Sequence, residues 1–274
     1  MANGRSLHIG VNEVDPNAYG GWSGPLNACE ADADDMKALS DVAGFASKQL
    51  LTKAAKRDAV LKEIREAGKA LKPGDIFFLT YSGHGGQVPD LNNEEKDGRD
   101  ETWCLYDGEL IDDELYACWS GFEKDVRIVV LSDSCHSGTV IKVAPNSIGT
   151  ALASGTLASS ELARGMPLEV IGRAYRAQKG LYDKLQAEKP KTEDDVQASV
   201  LLISGCQDAQ TSMDGPFNGA FTGALLQVWK EGAFKGTYRT FHKKIQRKLP
   251  PTQQPNLMTV GHGKSFARQR PFKI

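Results

Sequence analysis

Two short stretches of this chain carry residue types that could do covalent chemistry. One is Leu131-Ser132-Asp133-Ser134-Cys135-His136-Ser137-Gly138, a polar turn with a single cysteine. The other is Ser82-Gly83-His84-Gly85-Gly86, a histidine among glycines. A cysteine attacks as its thiolate, and a neighbouring imidazole can take the thiol proton and later return it to a leaving amine. The tetrahedral oxyanion then needs preorganised backbone N–H donors, and glycine lets the main chain approach a substrate without a Cβ in the way. A glycine-rich turn or a buried structural cysteine would explain either stretch alone. Their order and spacing, with His84 about 50 residues before Cys135, favour a nucleophile and its base. His136 points to the opposite side of an extended segment and is the weaker candidate base.

Both stretches follow apolar runs that read as buried parallel strands, Asp75 to Tyr81 and Arg127 to Leu131. In an open α/β sheet reactive groups collect where strands end at the carboxyl edge, so two adjacent strands would bring His84 and Cys135 together. Ser6 to Asn12 reads as a first strand, with His8 packed inside it, and Ser199 to Gly205 as another. Between them lie helical patterns: about Leu26 to Leu39, Lys53 to Leu71 (stopped by Lys72-Pro73-Gly74), a segment ending near Trp229, and a final helix over about Tyr238 to Leu249. Asp15 to Gly24, with Tyr19 and Trp22, is a loop, and Thr102 to Tyr106 is a short strand within an acidic stretch. Val143 to Ser160 is rich in small residues and reads as a mobile linker, and the basic stretch Glu161 to Lys189 as partly helical. Strands alternating with helices predict a mostly parallel sheet covered on both faces.

The 274 residues suffice for one core, and a formal net charge of −2 gives no general attraction to nucleic acid or anionic membrane. The basic run Arg239, Lys243, Lys244, Arg247 and Lys248 reads as one solvated helix face. With no long apolar segment and no apolar leader near Met1, the chain is expected in the cytoplasm, without membrane or nucleic-acid partners. Five cysteines without paired spacing speak against a disulfide framework or zinc cluster, and Cys104 and Cys118 read as small core residues.

The runs "YSGHGGQ" and "DSCHSG", with "SGCQDAQTS…GAFT" further on, resemble the metacaspase and orthocaspase branch of the caspase-like cysteine peptidases, in its compact prokaryotic form. The separation of His84 and Cys135 also fits the caspase spacing. The resemblance implies a caspase-like α/β fold in one domain over 1–274: a larger segment 1–145, a linker or insertion 146–197 and a smaller segment 198–274. It implies a Cys135–His84 dyad, with an oxyanion held by the N–H groups of Gly85 and Cys135. The match of "LNACEADADDM" adds a substrate pocket with Asp32 and Asp133 as its acids and Ser82 and Cys29 as its walls. Such a pocket selects Arg or Lys and rejects Asp. The expected function is therefore an endopeptidase acting on protein or peptide substrates after Arg or Lys, as a monomer. If the chain also cuts itself, the expected sites are Arg164, Arg173, Arg176 or Lys179 in an exposed flexible segment. The alternatives are an inactive caspase-like interaction module and a peptide ligase using the same dyad.

Many metacaspases are switched on by calcium held by several aspartates, and the matching acids are Asp100, Asp112 and Asp113. Where the family pattern has a further aspartate, seven residues past the nucleophile, this chain has Lys142. Calcium wants six to eight oxygens and prefers negative ligands, so the expectation is an incomplete site and no required cofactor.

Overall fold

The computed structural model describes residues 2–91, 98–135, 163–187, 193–206, 213–215 and 217–274. The chain opens with strand β1 (Gly4–Gly10), helix α1 (Cys29–Val42), strand β2 (Ala46–Leu51) and helix α2 (Arg57–Ala70). Strand β3 (Ile76–Ser82) leads to a small antiparallel sheet of β4 (Gly85–Pro89), β5 (Arg99–Leu105) and β6 (Gly108–Ile111). After helix α3 (Asp112–Trp119) comes strand β7 (Arg127–Asp133), and then helices α4 (Leu168–Ala177) and α5 (Lys179–Ala187). Strand β8 (Ser199–Ser204), helices α6 (Ala220–Trp229) and α7 (Tyr238–Gln246), strand β9 (Asn256–Gly261) and a short helix α8 (Gly263–Phe266) complete it. The main sheet has six strands in the order β2-β1-β3-β7-β8-β9. Of these six, β9 alone runs antiparallel to its neighbour.

The central strands carry apolar residues on both faces because both faces are covered. Phe77, Leu79, Ile128 and Val130 pack on one side with Ile64 of α2 and Trp119 of α3. Ile76, Phe78, Val129 and Leu131 pack on the other with Met36 of α1, Phe221 of α6 and Phe241 of α7. The fold is the expected α/β one, a mostly parallel sheet with helices on both faces. Several elements differ from the expectation. The short strand expected at Thr102 to Tyr106 is β5, Arg99–Leu105, in the middle of the small β4-β5-β6 sheet. The helix expected over Lys53 to Leu71 is a short 3₁₀ turn, Thr52–Ala54, followed by α2. The helix at Tyr238 is not the last element, since β9 and α8 follow it. Its basic residues Arg239, Lys243, Lys244, Arg247 and Lys248 lie toward solvent, as a solvated face requires.

His8 sits in β1 with no solvent exposure, one ring nitrogen meeting Thr80 Oγ1 at 2.9 Å and the other meeting Ser6 Oγ and Ser40 Oγ at 2.9 Å each. Burial pushes its pKa down to about 3 from the ordinary 6.5. The folded state therefore holds a neutral imidazole, whose stabilisation is complete above pH 6.5 and is lost as the pH falls toward 3. Between about pH 7 and about pH 4.5 this single group is expected to remove about 2 kcal/mol of stability. Urea unfolding of the wild type and of His8→Gln at those two pH values checks it. The variant should lose less on acidification, and equal losses would contradict the assignment.

Candidate active site

Strands β3 and β7 pair in parallel with Ser82 opposite Asp133. His84 lies two residues beyond the first and Cys135 two beyond the second, so the two side chains leave the sheet at one edge. The carbonyl of His84 accepts the Tyr81 hydroxyl at 2.6 Å and the Cys104 N–H at 2.9 Å, which fixes the turn. The His84 ring is held by the loop ahead of α1. Nε2 lies 2.9 Å from the Gly24 carbonyl, which can only accept, so Nε2 carries the hydrogen. Trp22 packs on the ring with centroids 4.7 Å apart. Gly24 has φ +50, and a Cβ there would fall 2.5 Å from the Trp22 ring, so the arrangement requires glycine. Nδ1 is buried without a hydrogen-bond partner among the described residues. Burial, opposed by the bond to Gly24 and reinforced by the nearby Arg164 guanidinium, lowers the His84 pKa to about 4.

Cys135 is buried. The cause is the segment Ala163 to Met166, which lies over the strand ends. The Arg164 carbonyl accepts the N–H of Gly85 and the N–H of Cys135, each at 3.0 Å. These are the two donors expected for an oxyanion. Beyond it, Gly165 bridges to Gly85 in parallel, and the Met166 N–H donates to the Gly85 carbonyl at 2.7 Å. Before it, Ala163 bridges to Met213 in antiparallel fashion. Arg164 is thus held as an extended strand, with its carbonyl on the backbone donors and a peptide bond running past the cysteine.

Its side chain, with no solvent exposure, enters a pocket of three carboxylates. Nη1 meets Asp133 Oδ2 at 2.9 Å and donates to Ser82 Oγ at 2.8 Å. Nη2 meets Asp32 Oδ2 at 2.8 Å and Asp214 Oδ1 at 2.9 Å. Each acid is held in turn. Asp32, in the first turn of α1, accepts the Ser82 hydroxyl at 2.7 Å and the Gly219 N–H at 3.0 Å. Asp133 Oδ2 accepts the Thr222 N–H and hydroxyl at 3.2 and 3.0 Å from the start of α6. Asp214 accepts the N–H groups of Asn27 at 2.7 Å and Ala28 at 3.3 Å. Burial raises the Asp32 pKa and the proximity of Asp133 adds to the rise, while Arg164 opposes it. Cys29 lines the wall, its thiol pushed up to about 12 by burial, so it stays protonated.

All the residues expected at the dyad and pocket (His84, Gly85, Cys135, Asp32, Asp133, Ser82, Cys29) therefore stand around one segment of the chain itself. Of the four basic residues expected in an exposed flexible stretch, Arg164 is instead buried in the pocket, because three acids draw it in. Arg173 and Arg176 lie on α4 and Lys179 begins α5. Sequence reasoning missed Asp214, Gly219 and the Trp22–Gly24 support of His84. Gly219 stands at the head of the matched "GAFT" run and could have been singled out there. Asp214 has no spacing that distinguishes it from other acids.

Asp100 lies in β5, and Asp112 and Asp113 open α3 directly after β6, the neighbour of β5 in the small sheet. Asp100 is buried, with Oδ2 accepting the Gln186 amide at 2.9 Å, and Asp112 Oδ1 accepts the Asp113 N–H at 3.1 Å at the start of α3. Among the described residues no three His, Cys, Asp or Glu side chains gather as a metal site. Lys142 and His136 lie outside the described residues.

Residues 7–267 match the caspase-domain model of the C14 peptidases. The chain belongs to this family. It is similar to Metacaspase-1A of Aspergillus fumigatus (strain CBS 144.89 / FGSC A1163 / CEA10), with 30% identity over 259 residues that cover 81% of this chain and 59% of that protein. Metacaspase-1 of Saccharomyces cerevisiae (strain ATCC 204508 / S288c) is 30% identical over 255 residues, covering 82% and 58%. The chain thus spans under two thirds of the length of these relatives. Among solved structures, protein GSU0716 from Geobacter sulfurreducens superposes with a TM-score of 0.86 at 55% identity, covering 98% of both chains. Caspase-1 from Spodoptera frugiperda shares the fold, with a TM-score of 0.51 at 9% identity over 95% of this chain and 87% of that one. The metacaspase-like resemblance read from the motifs agrees with these findings.

Gly219 gives a direct test of the pocket. A Cβ there would sit 2.5 to 2.6 Å from Nη1, Cζ and Nη2 of Arg164, while the glycine's own φ of −60 suits any residue. Gly219→Ala should keep the fold but push the guanidinium out and uncover Cys135. Iodoacetamide labelling of Cys135, read by peptide mass spectrometry, should be at least about tenfold faster than in the parent chain, since thiol reactivity tracks exposure. An unchanged rate would show that Arg164 does not cover the thiol.

Proposed function

We propose that this chain is a cysteine endopeptidase that cleaves after Arg or Lys through a Cys135–His84 dyad, and that its own Arg164–Gly165 bond is a substrate. One observation carries the reading. Arg164 places its carbonyl on two backbone N–H donors beside Cys135 and its cation among three buried acids. Protein or peptide substrates, a monomeric state and a cytoplasmic setting complete it. Among the described residues no helix is long and apolar enough to cross a membrane.

The chemistry rests on the atoms available. With Nε2–H committed to Gly24, Nδ1 is the ring atom left to take the Cys135 thiol proton. The thiolate adds to the Arg164 carbonyl carbon, and the oxygen's growing charge is met by the N–H groups of Gly85 and Cys135. His84 Nδ1 then gives its proton to the Gly165 nitrogen, the C–N bond breaks, and a thioester to Arg164 remains. Water, deprotonated by the same Nδ1, hydrolyses the thioester and regenerates the thiol. An inactive scaffold would have no need to keep dyad, donors and pocket aligned on one peptide bond.

Fluorogenic peptides ending in Arg or Lys should be cleaved and one ending in Asp should not. Cys135→Ala should lower turnover by at least about a thousandfold with His84→Ala nearly as damaging, because the pair acts as a unit. Activity surviving in Cys135→Ala, or cleavage after Asp, would overturn the assignment. On storage, the parent chain should yield a fragment starting at Gly165. Cys135→Ala and Arg164→Ala should stay whole there, the latter while still cutting peptides. Fragments starting elsewhere, or the Gly165 fragment from Cys135→Ala, would refute self-processing.

A further inference from the structure

Arg164 shows in detail how a basic side chain is read. The recognition is divided between the two ends of the guanidinium fork. Nη1 serves Asp133 Oδ2, Ser82 Oγ and, at 3.3 Å, the Asp133 carbonyl. Nη2 is shared between Asp32 and Asp214. Nε, although buried, has no hydrogen-bond partner among the described residues. The pocket therefore reads only the two terminal nitrogens, and reads both of them. Gly219 lies flat against the guanidinium, with room for a planar group and for no side chain of its own.

A lysine ammonium is one nitrogen on the axis of the side chain, with three donors. It can approach the Nη1 cluster or the Nη2 pair but cannot span both. If it sits at the Nη1 cluster, with Asp133 and Ser82, Asp214 is left buried and without a cation, and such a carboxylate is heavily penalised. Asp214 also tethers the loop on the far side of the site. Its two oxygens take the N–H groups of Asn27 and Ala28, three and four residues after the Gly24 that orients His84.

We propose that Asp214 is a specificity-determining residue that makes the pocket select arginine over lysine, by demanding a second terminal nitrogen. This rests on the endopeptidase reading above and narrows it. Asp214→Asn is the informative substitution. It is nearly isosteric, keeps an oxygen for the Asn27 N–H, and removes the charge that Nη2 answers.

The test measures kcat/KM for matched peptides ending in Arg and in Lys, with the parent enzyme and with Asp214→Asn, each checked for an unchanged melting temperature. The parent should prefer Arg by at least about a hundredfold, as sites built around a substrate's hydrogen bonds reject analogues that lack them. Asp214→Asn should lose far more of its Arg turnover than of its Lys turnover, bringing the ratio below about tenfold. A folded variant with an unchanged ratio, or a parent that cuts Arg and Lys peptides alike, would overturn the role of Asp214 and leave the endopeptidase reading standing. A parent that cuts neither, or cuts after Asp, would instead sink the endopeptidase reading. Should Asp214→Asn not fold, a peptide ending in asymmetrically dimethylated arginine decides the matter on the parent enzyme. With one terminal nitrogen blocked it should fall to the Lys level, and turnover like that of unmodified Arg would refute the two-nitrogen requirement.

Discussion

The site depends on the parallel register of β3 and β7. Ser82 stands opposite Asp133, and both enter the pocket, one through its hydroxyl and the other through its carboxylate. Two residues further on each strand, the same register delivers His84 and Cys135. A slip of one residue would turn every side chain to the other face. It would separate base from nucleophile and bury the pocket acid in the apolar layer beneath. The shapes of the two cores oppose such a slip, because Phe77 and Leu79 of β3 and Ile128 and Val130 of β7 fill one, and Ile76, Phe78, Val129 and Leu131 fill the other. Packing energy far from the chemistry is what holds the reacting groups in line.

The pocket is electrostatically the opposite of a relaxed structure. Three buried carboxylates converge on one guanidinium, so charge is only partly balanced even when the pocket is filled. The protein tolerates this through backbone N–H groups at the start of α6, Thr222 for Asp133 and Gly219 for Asp32, where the helix dipole favours an anion. Burial and the nearby Asp133 raise the Asp32 pKa, and the Arg164 guanidinium opposes that rise.

How much of this was legible in the sequence depends on how strongly each position is dictated by local pattern. The central strands announce themselves as apolar runs, and His84 and Cys135 follow their ends, so the fold class and the meeting of these two residues at one sheet edge could both be read. The edge strands could not. Ala46-Ser47-Lys48-Gln49 of β2 is partly exposed, and Asn256 to Gly261 of β9 is too, so neither carries an apolar signature. Asp32 and Asp133 were reachable only through motif resemblance, since nothing local separates a pocket acid from a surface acid. Asp214 shows that limit fully, as its role arises where α1, β7 and the approach to α6 meet. The burial of Cys135 was invisible for a related reason. It depends on Arg164, a residue distant in sequence that reaches the site only through the folded chain.

The strand over the active site is covalently part of the molecule on both sides, and this governs the outcome of a cut. Scission between Arg164 and Gly165 would not release a diffusing product. Residues 136–163 still join Arg164 to the strand that carries Cys135. The new carboxylate would stay tethered beside its own binding site at an effective concentration on the order of millimolar. An incoming peptide must compete with that leash, so the nicked protein would carry a built-in ceiling on its apparent affinity for substrates. Shortening or lengthening the leash would move the ceiling without touching any residue of the site.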